Sequence, residues 1–239
     1  MSLLEVDGHV ARHGLLTAVH GISFSIAAGE VLAIVGANGA GKTTLFRTIS
    51  GVHPLAGGTI RLGGSDISGF APHRRVAAGI AMVPEGRRLF ADMNVTENLA
   101  IAGENGRKGE WTLATVFDAL PQLKPIARVA AGGLSGGQRQ AVAIGRALMS
   151  NPSLLLLDEV SLGLSPIAVE GLYASLGALK SSGTTMIVVE QDLDRATGFA
   201  DRIVCMLEGR AVLEDKSGAL TRSEIAAAYF GLEAGERMH

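Results

Sequence analysis

Gly36-Ala37-Asn38-Gly39-Ala40-Gly41-Lys42-Thr43-Thr44 fits the pattern G-x-x-x-x-G-K-[ST] without a mismatch, and its flanks fit too. Val31-Leu32-Ala33-Ile34-Val35 before it is a short, β-rich apolar run, and residues 45–50 after it read as a helix. Strand, glycine loop and helix in succession make a phosphate cradle. Lacking Cβ atoms, Gly36, Gly39 and Gly41 let the backbone turn tightly and bring its N–H groups up to an anion. The helix start after Gly41 adds unpaired donors and the positive end of a dipole. Lys42 is placed to lie along the β- and γ-phosphates of a nucleotide, and the Thr43 hydroxyl to ligate Mg²⁺. The bland alternative is a glycine-rich loop with an accidental lysine. Agreement between spacing and flanks argues against it.

A chain of 239 residues suits one large α/β domain, or a core with a small insert. Hydrophobic residues make up 47%, enough for a substantial core, and a net charge of −2 gives no field for nucleic acid. The single cysteine, Cys205, excludes an intramolecular disulfide and suits a reducing cytoplasm. It sits in the apolar run 203–207 and reads as a buried, inert thiol. No basic segment followed by an apolar stretch opens the chain, and no apolar run approaches the roughly 18 residues of a membrane span. The chain is therefore expected not to cross a membrane, which leaves docking to a membrane protein open.

Outward from the cradle, residues 3–6 and 21–26 read as early strands. In the second, Ile22, Phe24 and Ile26 alternate with Ser23, Ser25 and Ala27. With a strand at 59–62 they suggest an antiparallel lobe. Residues 72–78 read as a short helix and 80–83 as a buried strand. Pro84-Glu85-Gly86-Arg87-Arg88-Leu89-Phe90 carries turn residues and charge but no period. Thr96 reads as the cap of a helix to residue 102, and Leu113, Val116, Phe117 and Leu120 recur at helical spacing before Pro121. About 60 residues from 87 to 150 thus look mainly helical between strands, a helical insert in an α/β core.

Leu134-Ser135-Gly136-Gly137-Gln138 opens a second helix, expected over 139–149. Ser135 is a natural cap, and with Gly136 and Gly137 it presents donors at a positive helix end. The residues alone leave this open between an ordinary capped helix and a second anion site. After Asn151-Pro152, residues 153–157 form a buried strand ending in Asp158-Glu159. Acids at the carboxyl edge of a parallel strand lie where open α/β sheets bind ligands. Asp158 is placed to hold Mg²⁺ and Glu159 to orient or deprotonate an attacking water. Pro166 starts a helix to residue 180, residues 184–189 form another buried strand, and Glu190-Gln191-Asp192 follows it. Residues 203–207 and 210–213 read as a hairpin, and 223–230 as a last helix before a polar end.

These motifs, in this order and spacing, resemble the nucleotide-binding subunit of an ATP-binding cassette (ABC) transporter, and the likeness spans nearly the whole chain. It rests on the cradle, on Leu134-Ser135-Gly136-Gly137-Gln138 as the family signature, and on residues 154–158 with Glu159. Within the family, Val83-Pro84-Glu85-Gly86-Arg87-Arg88, Asn94-Val95-Thr96-Glu97-Asn98-Leu99, Val189-Glu190-Gln191 and Ala227-Ala228-Tyr229-Phe230 resemble the smaller ATPase subunit of branched-chain amino acid importers. Importers of urea, short amides and other carboxylates have similar ATPases.

The resemblance implies a P-loop NTPase (RecA-like) α/β fold with a mainly parallel sheet, an N-terminal antiparallel β lobe and a helical insert carrying the signature. In that scheme 1–86 and 151–239 form the ATP-binding core and 87–150 the helical part. It implies ATP and Mg²⁺ as ligands, with the nucleotide on Gly36, Ala37, Asn38, Gly39, Ala40, Gly41, Lys42, Thr43 and Thr44. It places His13 on the adenine, where an aromatic ring is usual, with Val19 beside the base. Thr43, Glu85 and Asp158 would serve the metal; Glu159, Lys42 and Gln191 would serve catalysis. Two positions depart from the general pattern. Glu85 stands where a glutamine is usual and adds negative charge near the metal. Gln191 stands where a histidine is usual; it can hydrogen-bond a phosphate oxygen but cannot carry a proton. A slow site follows for any homodimer.

The cradle has a lysine and a metal site but no donors on the open side of the γ-phosphate; the signature has donors but no metal. The family resolves this by head-to-tail pairing, each signature closing over the other chain's ATP. The implied partners are a second ABC ATPase subunit, identical or not, transmembrane permease subunits docking on 85–90 and the insert, and indirectly a solute-binding protein. Its place would be peripheral, on the cytoplasmic face of the cell membrane. Two other readings are a soluble ABC-type ATP switch, against which stand the single cassette and the lack of a long coiled coil, and a phosphoryl-transferring kinase, against which stands the signature.

Overall fold

Strand alternation at the start of the chain builds a long hairpin. In a computed structural model describing residues 2–104 and 106–232, β1 (Ser2–His13) pairs antiparallel with β2 (Leu16–Ala27), from Leu4 opposite Ile26 to His13 opposite Leu16. Both strands run well beyond the 3–6 and 21–26 expected from sequence. The register shifts between Val6 and His9, and Gly8 and Gly21 adopt φ values of 58° and 75°. Such irregularities break the period-2 pattern that sequence reading relies on. Next come β3 (Val31–Val35), α1 (Lys42–Ile49), β4 (Gly57–Leu62) and the short β5 (Ser65–Asp66). Strands β2, β1, β4 and β5, in that order, form the expected antiparallel lobe.

The middle of the chain continues with α2 (Pro72–Ala78), β6 (Ile80–Val83), α3 (Val95–Glu104) and α4 (Leu113–Ala119). Two 3-10 turns, Pro121–Ile126 and Ala131–Gly133, lead to α5 (Gly136–Leu148), then β7 (Leu154–Asp158) and α6 (Pro166–Ser181). The cap of α3 is Asn94 rather than Thr96. Asn94 Oδ1 accepts from the Glu97 amide at 2.9 Å, and Glu97 Oε2 accepts from the Asn94 amide at 2.8 Å. That reciprocal pair satisfies two orphan donors, whereas Thr96 lies inside the helix and donates its hydroxyl to Ala127 O. On α5, a Cβ at Gly145 would stand 2.9 Å from Leu99 Cδ2 and 3.1 Å from Val116 Cγ1, so glycine there permits close helix packing.

The chain closes with β8 (Met186–Glu190), α7 (Leu193–Phe199), β9 (Arg202–Leu207), β10 (Arg210–Lys216), a 3-10 turn and α8 (Arg222–Phe230). The polar end at 233–239 and residue 105 lie outside the described residues. Two compact units result, Met1–Pro72 with Met186–His239, and His73–Thr185. In the first, β3 is flanked by β8 and β9, both parallel to it, and β10 returns antiparallel on β9. In the second, β6 runs parallel to β7 from Ile80 opposite Leu154 to Val83 opposite Leu157. Every residue of β3, β7 and β8 is buried. Strands covered on both faces show as continuous apolar runs, which is why they were plain in the sequence. Among the described residues, no helix is long and apolar enough to cross a membrane.

Candidate functional site

In the first unit, β3 delivers the chain into the glycine loop and α1 starts at Lys42. Gly41 stands before it at φ 95°, and among the described residues no side chain bonds to it as a cap. A Cβ on Gly36 would run into the Met206 carbonyl oxygen of β9, and one on Gly41 into the Ala18 carbonyl oxygen of β2, 3.5 Å from Val19 Cγ2. One side of the loop is therefore packed against backbone. At Gly39, φ 84°, a Cβ would meet nothing within 4 Å. Lys42 is 3% exposed, and its Nζ donates to Gly36 O at 2.7 Å and Ala37 O at 3.0 Å. The ammonium is thus folded over the loop. Backbone amides at an uncapped helix start, with a cation laid across them, fit a phosphate chain.

The His13 ring lies beside this loop, its Nε2 3.1 Å from Thr44 Oγ1. A residue that sequence reading did not single out joins it. The rings of His53 and His13 have centroids 4.5 Å apart and planes tilted by 42°. His53 Nε2 lies 2.9 Å from Arg12 O, and a carbonyl only accepts, so that nitrogen carries the proton. His53 is forty residues further along the chain, in the turn after α1, and no local pattern marks it. Val19 is fully buried next to Gly41. Gln191 follows β8 directly, before Asp192, whose side chain caps α7 by accepting from the Arg195 amide at 3.1 Å. Cys205 pairs in register with Val35 and is fully buried. Burial pushes its thiol up to about 11, against the pull of the Lys42 charge, so it stays protonated and inert.

In the second unit, β7 ends at Asp158, which is 1% exposed. Glu159 follows at φ 48°, left-handed and costing about 1–3 kcal/mol for a residue with a side chain. That bend turns the backbone just after the buried acid. At the start of α5, Ser135 Oγ accepts from the Gln138 amide at 3.2 Å, and Gln138 Oε1 accepts from the Ser135 amide at 2.8 Å. Leu134 is buried beneath this capping box, and a Cβ on Gly137 would stand 2.9 Å from Ala168 Cβ on α6. Glu85 is exposed on the loop after β6. That loop is bonded to Gln140 and Arg146 of α5, two residues with no motif signature of their own.

The sequence matches the ABC transporter family over residues 19–161. It is 40% identical to the high-affinity branched-chain amino acid transport ATP-binding protein BraG of Pseudomonas aeruginosa, over 96% of this chain and 100% of that protein. It is 33% identical to the probable branched-chain amino acid transport ATP-binding protein LivF of Archaeoglobus fulgidus, over 85% of this chain and 87% of that one. The fold is similar to the crystal structure of an ATP-binding cassette of an ABC transporter in its ADP conformation. That likeness has a TM-score of 0.82 at 29% identity and covers 99% of this chain and 100% of the other.

Proposed function

The chain belongs to the ABC transporter family, whose cassettes hydrolyse ATP to drive transport, and on that premise we propose that it is the motor subunit of an importer of branched-chain or related amino acids. The observation that carries the reading is the cradle before α1, uncapped and with Lys42 Nζ folded over its carbonyls. Likeness over the full length of BraG supports the choice of solute.

In this reading the amides of 36–44 hold the phosphates, and Lys42 leaves the carbonyls of Gly36 and Ala37 to lie along the β- and γ-oxygens. His13, with His53 behind it, faces the adenine, and Val19 packs beside it. Thr43, Asp158 and Glu85 offer a hydroxyl and two carboxylates, hard oxygen donors of the kind Mg²⁺ takes. When bound, the ion supplies charge neutralisation at the β- and γ-phosphates. Glu159 orients or deprotonates the attacking water, and Gln191 hydrogen-bonds a γ-oxygen without donating a charge. Ser135, Gly136 and Gly137 of one chain close over the ATP of a second cassette. Product charges then repel and the pair opens. Permease subunits take up that motion through the exposed Phe90 and its neighbours from Glu85 onward, so the chain sits peripherally on the cytoplasmic face of the membrane.

Affinity capture of the tagged chain from detergent-solubilised membranes, followed by mass spectrometry, tests this. Two hydrophobic permeases and a second, non-identical cassette ATPase are expected to co-purify. Recovery of soluble proteins or ribosomes alone would replace transport with a soluble ABC-type switch. Permeases of a urea, amide or carboxylate system would keep the motor and change the solute.

A further inference from the structure

The loop that carries Glu85 is held in an unfavourable shape from outside itself. Gly86, Arg87 and Arg88 take φ values of 78°, 63° and 49° in succession. Glycine accepts this freely. Two consecutive arginines do not, and such a run persists only where its surroundings over-determine it.

The surroundings that do so are on α5. Arg146 Nη1 donates to Arg88 O at 2.8 Å and Nη2 to Arg87 O at 3.0 Å. One planar fork therefore holds the carbonyls of both left-handed arginines. In the other direction, Arg87 Nε donates to Gln140 Oε1 at 2.8 Å. Gln140 is buried, and its Nε2 finds no partner among the described residues, so the single bond from Arg87 is what its side chain is placed for. Beyond the bend, Asn98 of α3 accepts from the Phe90 amide and donates to Phe90 O, both at 3.0 Å. The Arg146 guanidinium lies 6.0 Å from the Phe90 ring centroid. A lysine at 146 could reach one carbonyl but not serve two in fixed fork geometry.

We infer that Arg146 is a positioning residue for the Glu85 loop: its forked donation to Arg87 and Arg88 locks the bend, so that the loop and the α5 helix headed by Ser135 move as one body. This deepens the proposed function and rests on it for the role of Glu85 at the cation. The bonds of Arg146 go to the backbone of the bend and not to Glu85 itself. Arg146 acts by fixing the backbone from which Glu85 projects.

The test uses the full chain as wild type, Arg146→Lys and Arg146→Ala. Hydrogen–deuterium exchange is read on peptides covering 84–90, and Mn²⁺ affinity is read by electron paramagnetic resonance with a non-hydrolysable ATP analogue. The alanine variant is expected to speed exchange across the bend by about tenfold and weaken Mn²⁺ by roughly fivefold, with lysine between. Should the alanine variant not fold, Gln140→Leu removes the Arg87 tie alone and is expected to speed exchange by about threefold. Exchange at 84–90 unchanged in these variants overturns the inference, whatever Mn²⁺ does. Glu85→Gln tests the premise separately. Unchanged Mn²⁺ affinity in that variant, with faster exchange in Arg146→Ala, removes Glu85 from the cation site and leaves the latch standing.

Discussion

Helices α1 and α5 both start in glycine-rich stretches, and the sequence invites the same reading of each, a positive helix end open to an anion. The two starts are built differently. Before α1 stands Gly41, with no side chain on the orphan donors and the Lys42 ammonium turned back onto the loop's own carbonyls. Before α5 stands Ser135, closed into a reciprocal box with Gln138. The first start leaves its amides without a side-chain cap and lays the buried ammonium across the carbonyls of Gly36 and Ala37, a shape that fits an anion. The second is satisfied as it is, and an incoming phosphate must compete for the Ser135 hydroxyl or use the amides of Gly136 and Gly137. An open site suits primary binding. A self-capped one suits a surface that must wait for a partner.

The largest effects should therefore fall on the α1 side. Lys42→Ala removes the only side-chain cation of the cradle and is expected to lower ATP turnover by about 10²–10³, measured as phosphate release at saturating ATP. Gly36→Ala drives a methyl group into the Met206 carbonyl and should lose nucleotide affinity as well as stability. A Lys42→Ala variant with wild-type turnover would break the contrast outright. Gln191→His sharpens it, because imidazole at that position can carry charge and a proton where the amide cannot. A rise of several-fold in turnover of the assembled complex is expected, and no change would mean that Gln191 does not limit the rate.

On the α5 side the expected effects are on packing first. Gly137→Ala places a Cβ 2.9 Å from Ala168 Cβ, an overpacking cost of about 1–3 kcal/mol. At roughly 2–4 °C per kcal/mol for a chain of this size, calorimetry should resolve it. Gly136→Ala meets Leu164 Cδ2 at 3.4 Å, an ordinary contact, and should be neutral in stability. Ser135→Ala removes the cap for about 0.5–2 kcal/mol. If turnover then falls only in proportion to folded protein, Ser135 is a structural cap and no more.

Sequence reading succeeded where the physics is local and failed where it is not. The buried runs of β3, β7 and β8, the glycine loop and the Ser135 cap each declare themselves within a few residues. The hairpin of β1 and β2 was seen only in part, because Gly8 and Gly21 interrupt the alternation. Thr96 looks like the cap in sequence, yet Asn94 with Glu97 three residues on has the spacing of a reciprocal cap, and the structure uses it. His53, Gln140 and Arg146 could not have been found. Each acts on a residue at least forty positions away, and none belongs to a pattern of its own. The bend from Gly86 to Arg88 was likewise hidden, since two adjacent arginines argue against left-handed backbone until the fork of Arg146 is known.

The smallest effect extends the comparison to a third helix start. Helix α8 is closed by the same kind of box as α5, but with a titratable partner. Glu224 Oε2 accepts from the Thr221 amide at 2.8 Å and from its hydroxyl at 2.6 Å. These bonds, the hydroxyl first and the amide second, hold the Glu224 carboxyl below its ordinary value. A group whose pKa is depressed by folding stabilises above its unfolded value, near pH 4.3, and loses that contribution as pH falls through the depressed one. Gln138 in the α5 box has no proton to gain. Between pH 6 and 3, amide exchange at 221–224, corrected for its intrinsic pH dependence, should therefore rise relative to that at 135–138. Glu224→Gln should abolish the difference in slope while leaving α5 unchanged. If both starts loosen in parallel in the wild type, acid is acting on the whole fold rather than on the cap. The neutral amide of Gln138 would then give the α5 start no advantage over α8 in acid.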